Sequence, residues 1–188
     1  MQTSNAQDEL RSELNVGAGD LDKEPPSLDD LELGDAYGII RIPRFGDDWG
    51  EDGGWVIVEG TKPEDLKNGP GHYPESVDPG ELGNFAIAAH RSGHGNPFAP
   101  FPDLHVGDII EIETAAATYT YQLDDAPDGD SKGNKIPIDA MWVVDPVPGE
   151  PEGTEPTERR IPLTTCYPLY GSSERMYATG LLVGVVER

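Results

Sequence analysis

A second cysteine is missing from this chain, and its absence settles several points. Cys166 alone cannot form an internal disulfide, so there is no cross-linked framework and no clear indication of redox compartment. A multi-cysteine zinc site is excluded on the same count. Basic residues are also scarce, 13 Lys and Arg against 36 Asp and Glu, for a formal charge of −23. That balance argues against nucleic acid as a partner, since neutralising phosphates takes clustered cations, and an anionic membrane surface would repel the chain. Long apolar runs are missing too. The best, "FAIAA" and "LLVGVV", are far too short to cross a bilayer, and no signal-peptide core is present. Any membrane anchor of the natural protein is expected outside this sequence.

What is present describes a loop-rich domain with short strands. Gly (23) and Pro (18) supply many turns, and the mean hydropathy is −0.52. Residues 1–36 carry ten acids, two bases and no aromatic residue, which predicts a disordered acidic linker or stalk, with at most a short helix near "DELRSEL". The folded domain is expected over 37–188. "YGIIRIP" and "GWVIVEG" read as strands, and "TKPEDLKNG" as a short helical turn opened by Pro63 and closed by Gly69. "NFAIAAH" has the continuous apolar character of a buried strand. "HVGDIIEIET" and "ATYTYQL" alternate with period two and form a hairpin, "AMWVVDP" is a short apolar piece, and "RIPLTTC" and "RMYATGLLVGVVER" close the chain as strands. Seven or eight short strands with no long helix point to a mainly β fold, a closed or nearly closed barrel with short helices in the connections.

Two loops, "DAPDGDSKGNK" and "PVPGEPEGTEPTE", are rich in Gly, Pro and acids and belong at the surface. The first partly imitates a calcium loop through Asp128, Asp130, Asn134 and Asp139. Lys132 stands where a ligand oxygen is needed, and the last ligand is Asp rather than a bidentate Glu, so a solvated acidic loop is the better reading. No cofactor or metal is expected.

The chemistry-bearing residues are few enough to weigh singly. A thiolate nucleophile needs a nearby His⁺ or Arg. His90 ends an apolar strand and is followed by Arg91 and a Gly-containing turn, whereas His72, His94 and His105 lie in turns where exposed histidines need no special role. Arg175 enters the final strand nine residues after Cys166. Spacing alone leaves two readings open: a cysteine nucleophile with His90 and Arg175, or a buried, inert thiol.

The motifs themselves separate these readings. "GIIRIP", "GPGHYP", "GNFAIAAHRSGHGNPF" and "LTTCYP" followed by Arg175 occur in one order over roughly residues 37–188, and together they resemble the sortases, the cysteine transpeptidases of Gram-positive bacteria. "GPGHYP", "LTTCYP" and "WVVDPVPGEP" are most similar to the class E, housekeeping-type sortases of actinobacteria. Ala89 stands before His90 where many members carry Gly, which keeps a small residue there. The resemblance implies an eight-stranded sortase-type barrel in which His90, Cys166 and Arg175 meet in a groove. Cys166 would attack the Thr–Gly carbonyl of a C-terminal LPXTG or LAXTG sorting signal, His90 would act as acid and then base, and Arg175 would hold substrate and oxyanion. The acceptor would be an amine of a peptidoglycan precursor, at the extracellular face of the membrane. Thr165 would support the oxyanion or the substrate threonine, and Tyr73 would line the groove and help choose Ala over Pro. Two alternatives remain: a cysteine hydrolase using the same three residues, and a non-catalytic β-barrel binding module on an acidic stalk. An L,D-transpeptidase is disfavoured because its "SHGCxR" pattern is absent.

Overall fold

The computed structural model describes residues 2–19, 28–129 and 133–188. Its strands are β1 (Ala36–Arg41), β2 (Gly54–Glu59), β3 (Gly71–His72), β4 (Gly83–Asn84), β5 (Ile87–Ala88), β6 (Ile109–Glu113), β7 (Ala117–Asp125), β8 (Lys135–Pro137), β9 (Arg159–Tyr167) and β10 (Glu174–Glu187). They form one sheet in the order β4-β9-β5-β3-β2-β1-β6-β7-β10-β8, and a further β9–β10 pairing closes it. The eight strands from β9 round to β10 make the barrel, and β4 and β8 are short pieces outside the ring. Closure pairs the two long C-terminal strands and removes the exposed edges that an open sheet would present.

Period-two patterning builds the wall. Ile110 and Ile112 on β6, and Met176 and Ala178 on β10, are fully buried, while their neighbours on the same strands are half-buried. Phe85, Phe98, Phe101 and Tyr121 fill the interior between these aliphatic rows. Each such side chain contributes on the order of 1.5–3 kcal/mol by leaving water. The "NFAIAAH" run is two short pieces, β4 and β5, because the chain there passes between different neighbours, β9 and then β3 with β9. "AMWVVDP" is a single 3-10 turn over Trp142–Val144 rather than a strand. The expected turn after Pro63 is α2 (Pro63–Leu66).

The N-terminus departs from the stalk expected over 1–36. Residues Gln2–Gly19 form a helix, α1, that packs on β1 and β2. Leu10 is buried against Ala36, Val56 and Val58, with Leu14 beside them. A polar anchor does the rest. β3 pairs with β2 only at Val58 and Glu59, so the outward backbone groups of Val56 lack a strand partner. Gln7 stands in for it: Nε2 donates to Val56 O (3.0 Å) and Asn68 O (2.7 Å), and Oε1 accepts from Val56 N (2.8 Å). Composition hid this helix because its apolar contact is small, Leu10 with Leu14, and polar groups, Gln7 and Arg11, supply much of its attachment. Residues 20–27 of the expected stalk lie outside the described residues. Gln7→Leu keeps the bulk but orphans buried donors and acceptors, so it should lower unfolding stability by about 2 kcal/mol in a urea titration. An unchanged midpoint would show that the carboxamide is not the anchor.

Candidate active site

Strand register assembles the site. Cys166, near the end of β9, lies opposite Arg175 on β10. On the other side β5 runs parallel to β9, with Ala88 level with Thr164. Two residues further along each chain, His90 comes level with Cys166. The ladder continues past the last residue of β5, since Ala89 N donates to Thr164 O (3.2 Å) and Thr165 Oγ1 donates to Ala89 O (2.8 Å). Alternation then fixes the faces: Leu163, Thr165 and Met176 are buried, whereas Cys166 and Arg175 are half-buried on the outer side of the wall. Cys166 on β9, Arg175 on β10 and His90, two residues past the end of β5, thus make up the candidate row.

Cys166 is a free thiol with partial access to solvent. Its neighbour Tyr167 gathers cations, with Lys135 Nζ 3.9 Å from the ring centroid and the Arg91 guanidinium 5.6 Å away. Tyr167 packs against the barrel core one residue on from Cys166, while Arg175 lies directly opposite Cys166 across the ladder. Sequence spacing gave no sign of Lys135. It arrives through the pairing of β8 with β10, where Lys135 faces Met176.

His90 is half-buried, and Nε2 is enclosed without a hydrogen-bond partner among the described residues. The backbone after it turns through four consecutive residues with positive φ, Gly93, His94, Gly95 and Asn96. This left-handed path folds the loop back, with Phe98 N donating to His90 O (3.0 Å) and the exposed His94 ring 5.0 Å from His90. Gly95 is required there, because a Cβ would sit 2.5 Å from the Trp55 ring. Burial first, and the like charge of His94 second, hold the His90 pKa below its ordinary 6.5. The imidazole is therefore mainly neutral at pH 7. His94→Gln removes the smaller cause, so an NMR titration should show the His90 pKa rising while staying below 6.5. If protonated His90 is the acid, the limb of kcat/KM that falls with rising pH should move up with it. No movement in either would show that His94 is electrostatically irrelevant.

The structure changes the expectations for the remaining candidates. Arg175 is held by two contacts: Nη1 donates to Tyr73 Oη (2.8 Å) and Nη2 to Ile138 O (3.2 Å), while its Nε is enclosed without a partner among the described residues. Tyr73 is buried rather than open to the groove, and its hydroxyl lies 3.0 Å from Thr164 Oγ1. Thr165 also points inward, and its hydroxyl is committed to Ala89 O, so it ties β9 to the segment carrying His90 instead of facing substrate. His72 is not an exposed turn residue. It lies buried on β3 with Nδ1 2.7 Å from Glu59 Oε2 and Nε2 3.0 Å from Ser76 Oγ. His94 and His105 are exposed as expected.

In the calcium-like loop, Asp130 and Lys132 lie outside the described residues. Asp128 pairs with His105 (2.9 Å), and Asn134 Nδ2 donates to Asp125 and to Tyr177 O. No group of three or more His, Cys, Asp or Glu with metal-site geometry occurs among the described residues.

Comparison with known proteins supplies independent findings. A family model described as "Sortase domain" matches residues 40–183. The chain is 31% identical over 160 residues to sortase SrtE1 of Streptomyces coelicolor, spanning 81% of this chain and 42% of that protein. It is 29% identical over 188 residues to sortase SrtE2 of the same organism, spanning 97% of this chain and 68% of that protein. Among solved structures, sortase E from Streptomyces avermitilis superposes with a TM-score of 0.70 at 33% identity, covering 84% of this chain and 93% of that one.

Proposed function

The chain belongs to the sortase family, and from that premise we propose that it is a cysteine transpeptidase cleaving a C-terminal LPXTG- or LAXTG-type sorting signal between Thr and Gly. The register supports this reading: Cys166 faces Arg175 across β9 and β10, and Ala88, two residues before His90, is level with Thr164, two residues before Cys166.

The Cys166 thiolate attacks the Thr carbonyl carbon, and the oxyanion that forms is met by the Arg175 guanidinium, whose Nε–H is otherwise unused. Protonated His90 gives its proton to the departing glycine amine as the C–N bond breaks, leaving a Thr-acyl thioester on Cys166. An incoming amine loses a proton to the now neutral His90 and attacks the thioester. Acyl transfer releases the thiolate and restores the imidazolium. The sorting signal runs along the outer face of β9 and β10, past Tyr177, two residues beyond Arg175, where the exposed Trp142 ring packs edge-on at 5.7 Å.

The acceptor we infer is an amine of a peptidoglycan precursor, at the extracellular face of the cell membrane, so that surface proteins become anchored to the wall. Among the described residues no helix is long and apolar enough to cross a membrane. Incubating the protein with LPXTG and LAXTG peptides, with and without a Gly-type or diamino acceptor, tests the proposal by mass spectrometry. An amine-linked product with loss of the C-terminal fragment supports it. Cleavage yielding only free acid would assign a hydrolase, and intact peptides under all conditions would remove the transpeptidase reading.

A further inference from the structure

The Tyr73 hydroxyl is the side-chain group that holds Arg175 among the described residues without belonging to the reacting row. We propose that Tyr73 is a positioning residue, whose phenolic oxygen fixes the Arg175 guanidinium for the oxyanion and does not read the sorting signal. The proposal rests on the transpeptidase reading above.

Proton bookkeeping gives the direction of the chain. Arg175 Nη1 can only donate, so Tyr73 Oη accepts at 2.8 Å and its own hydrogen is free for Thr164 Oγ1 at 3.0 Å. Thr164 is fully buried on β9, two residues before Cys166, so the phenol is referenced to the nucleophile's own strand. The phenol ring packs on Ala86 and Ala88, the outward residues of the segment leading to His90. One aromatic side chain therefore touches all three strands of the row.

The backbone beneath Tyr73 is equally constrained. Its N–H donates to Ala86 O (3.0 Å), and its carbonyl accepts from both Ser76 N (2.9 Å) and Ser76 Oγ (2.8 Å). Ser76 Oγ in turn accepts from Ala86 N (3.1 Å) and meets His72, which is fixed by Glu59. The evident effect of this largely buried polar cluster is to hold the phenol still. Both Nη groups of Arg175 are thereby held, by Tyr73 and by the Ile138 carbonyl, while Nε–H keeps no partner among the described residues. A long, rotatable side chain becomes a fixed donor.

Tyr73→Phe removes one oxygen and leaves the ring. With LPXTG and LAXTG peptides, kcat should fall about 10- to 50-fold with KM within about twofold, equally for both peptides. Combined with Arg175→Ala, it should cost nothing beyond Arg175→Ala alone, since Tyr73 acts only through Arg175. The Arg175 side-chain Nε–H resonance should shift in Tyr73→Phe, a readout independent of turnover. Multiplying losses in the double variant, a changed ratio between the two peptides, a loss confined to KM, or an unmoved Arg175 resonance would each overturn the proposal. Wild-type protein inactive on both peptides would instead count against the parent reading, with the resonance still reporting on the Tyr73–Arg175 link.

Discussion

Cys166→Ala should remove turnover altogether, a loss of at least about 10⁴-fold, while leaving the melting curve nearly unchanged. The energetic reasons differ for the two observables. Stability should hold because the residue is half-buried on the outer wall and its backbone pairing with Arg175 is retained by alanine. Activity should vanish because no other cysteine exists, and nothing else in the row can form the acyl intermediate. His90→Ala should lose nearly as much, and the double variant should be no worse than either single one, since residues that act as one unit fail together. Residual cleavage of a sorting peptide by Cys166→Ala, measured by mass spectrometry, would displace the nucleophile from this position.

Arg175→Lys should be impaired almost as badly as Arg175→Ala, about 10²- to 10³-fold in kcat/KM. Charge alone would predict a mild effect, because lysine keeps it. Geometry predicts otherwise. The guanidinium makes two fixed contacts and still presents a third donor, whereas an ammonium on a flexible stem cannot satisfy Tyr73 and Ile138 while aiming at the oxyanion. Both variants should still be alkylated at Cys166 by a small thiol reagent, because neither substitution removes the thiol or its partial access to solvent. Near-wild-type turnover by Arg175→Lys would reduce Arg175 to an electrostatic neighbour.

The parts of the fold legible in the sequence are those with long period-two runs. The β6–β7 hairpin and the start of β10 could be read directly because alternation over five or more residues leaves little choice of face, and β9 because it is a bounded run buried on both sides. The strands β3, β4 and β8 span two or three residues, too few to show any period, and they exist because longer neighbours supply their partners. α1 was hidden for another reason: much of its hold on the barrel is polar, Gln7 at a backbone gap and Arg11 on the Glu51 and Gly54 carbonyls, a signal that hydrophobic patterning does not record.

The site divides the same way. His90, Cys166 and Arg175 sit at strand ends, and the order of motifs placed them together. Tyr73 was assigned to the groove by the resemblance and Thr165 because it precedes Cys166, but only the three-dimensional register reveals that the Tyr73 hydroxyl is held between Thr164 and Arg175 and that of Thr165 by Ala89 O. The Ile138 carbonyl comes from just beyond β8, distant in sequence, and its approach to Arg175 depends on the β8–β10 pairing.

The central claim is that Cys166 carries the acyl group, and it can be seen directly. Protein incubated with an LAXTG or LPXTG peptide in the absence of any acceptor amine, quenched in acid and digested, should give a Cys166-containing fragment heavier by the acyl portion ending in Thr. Hydroxylamine should release that mass as the hydroxamate, and the Cys166→Ala protein should lack it. Peptide cleavage without an adduct at Cys166, or an acyl group mapped to another residue, would contradict the account.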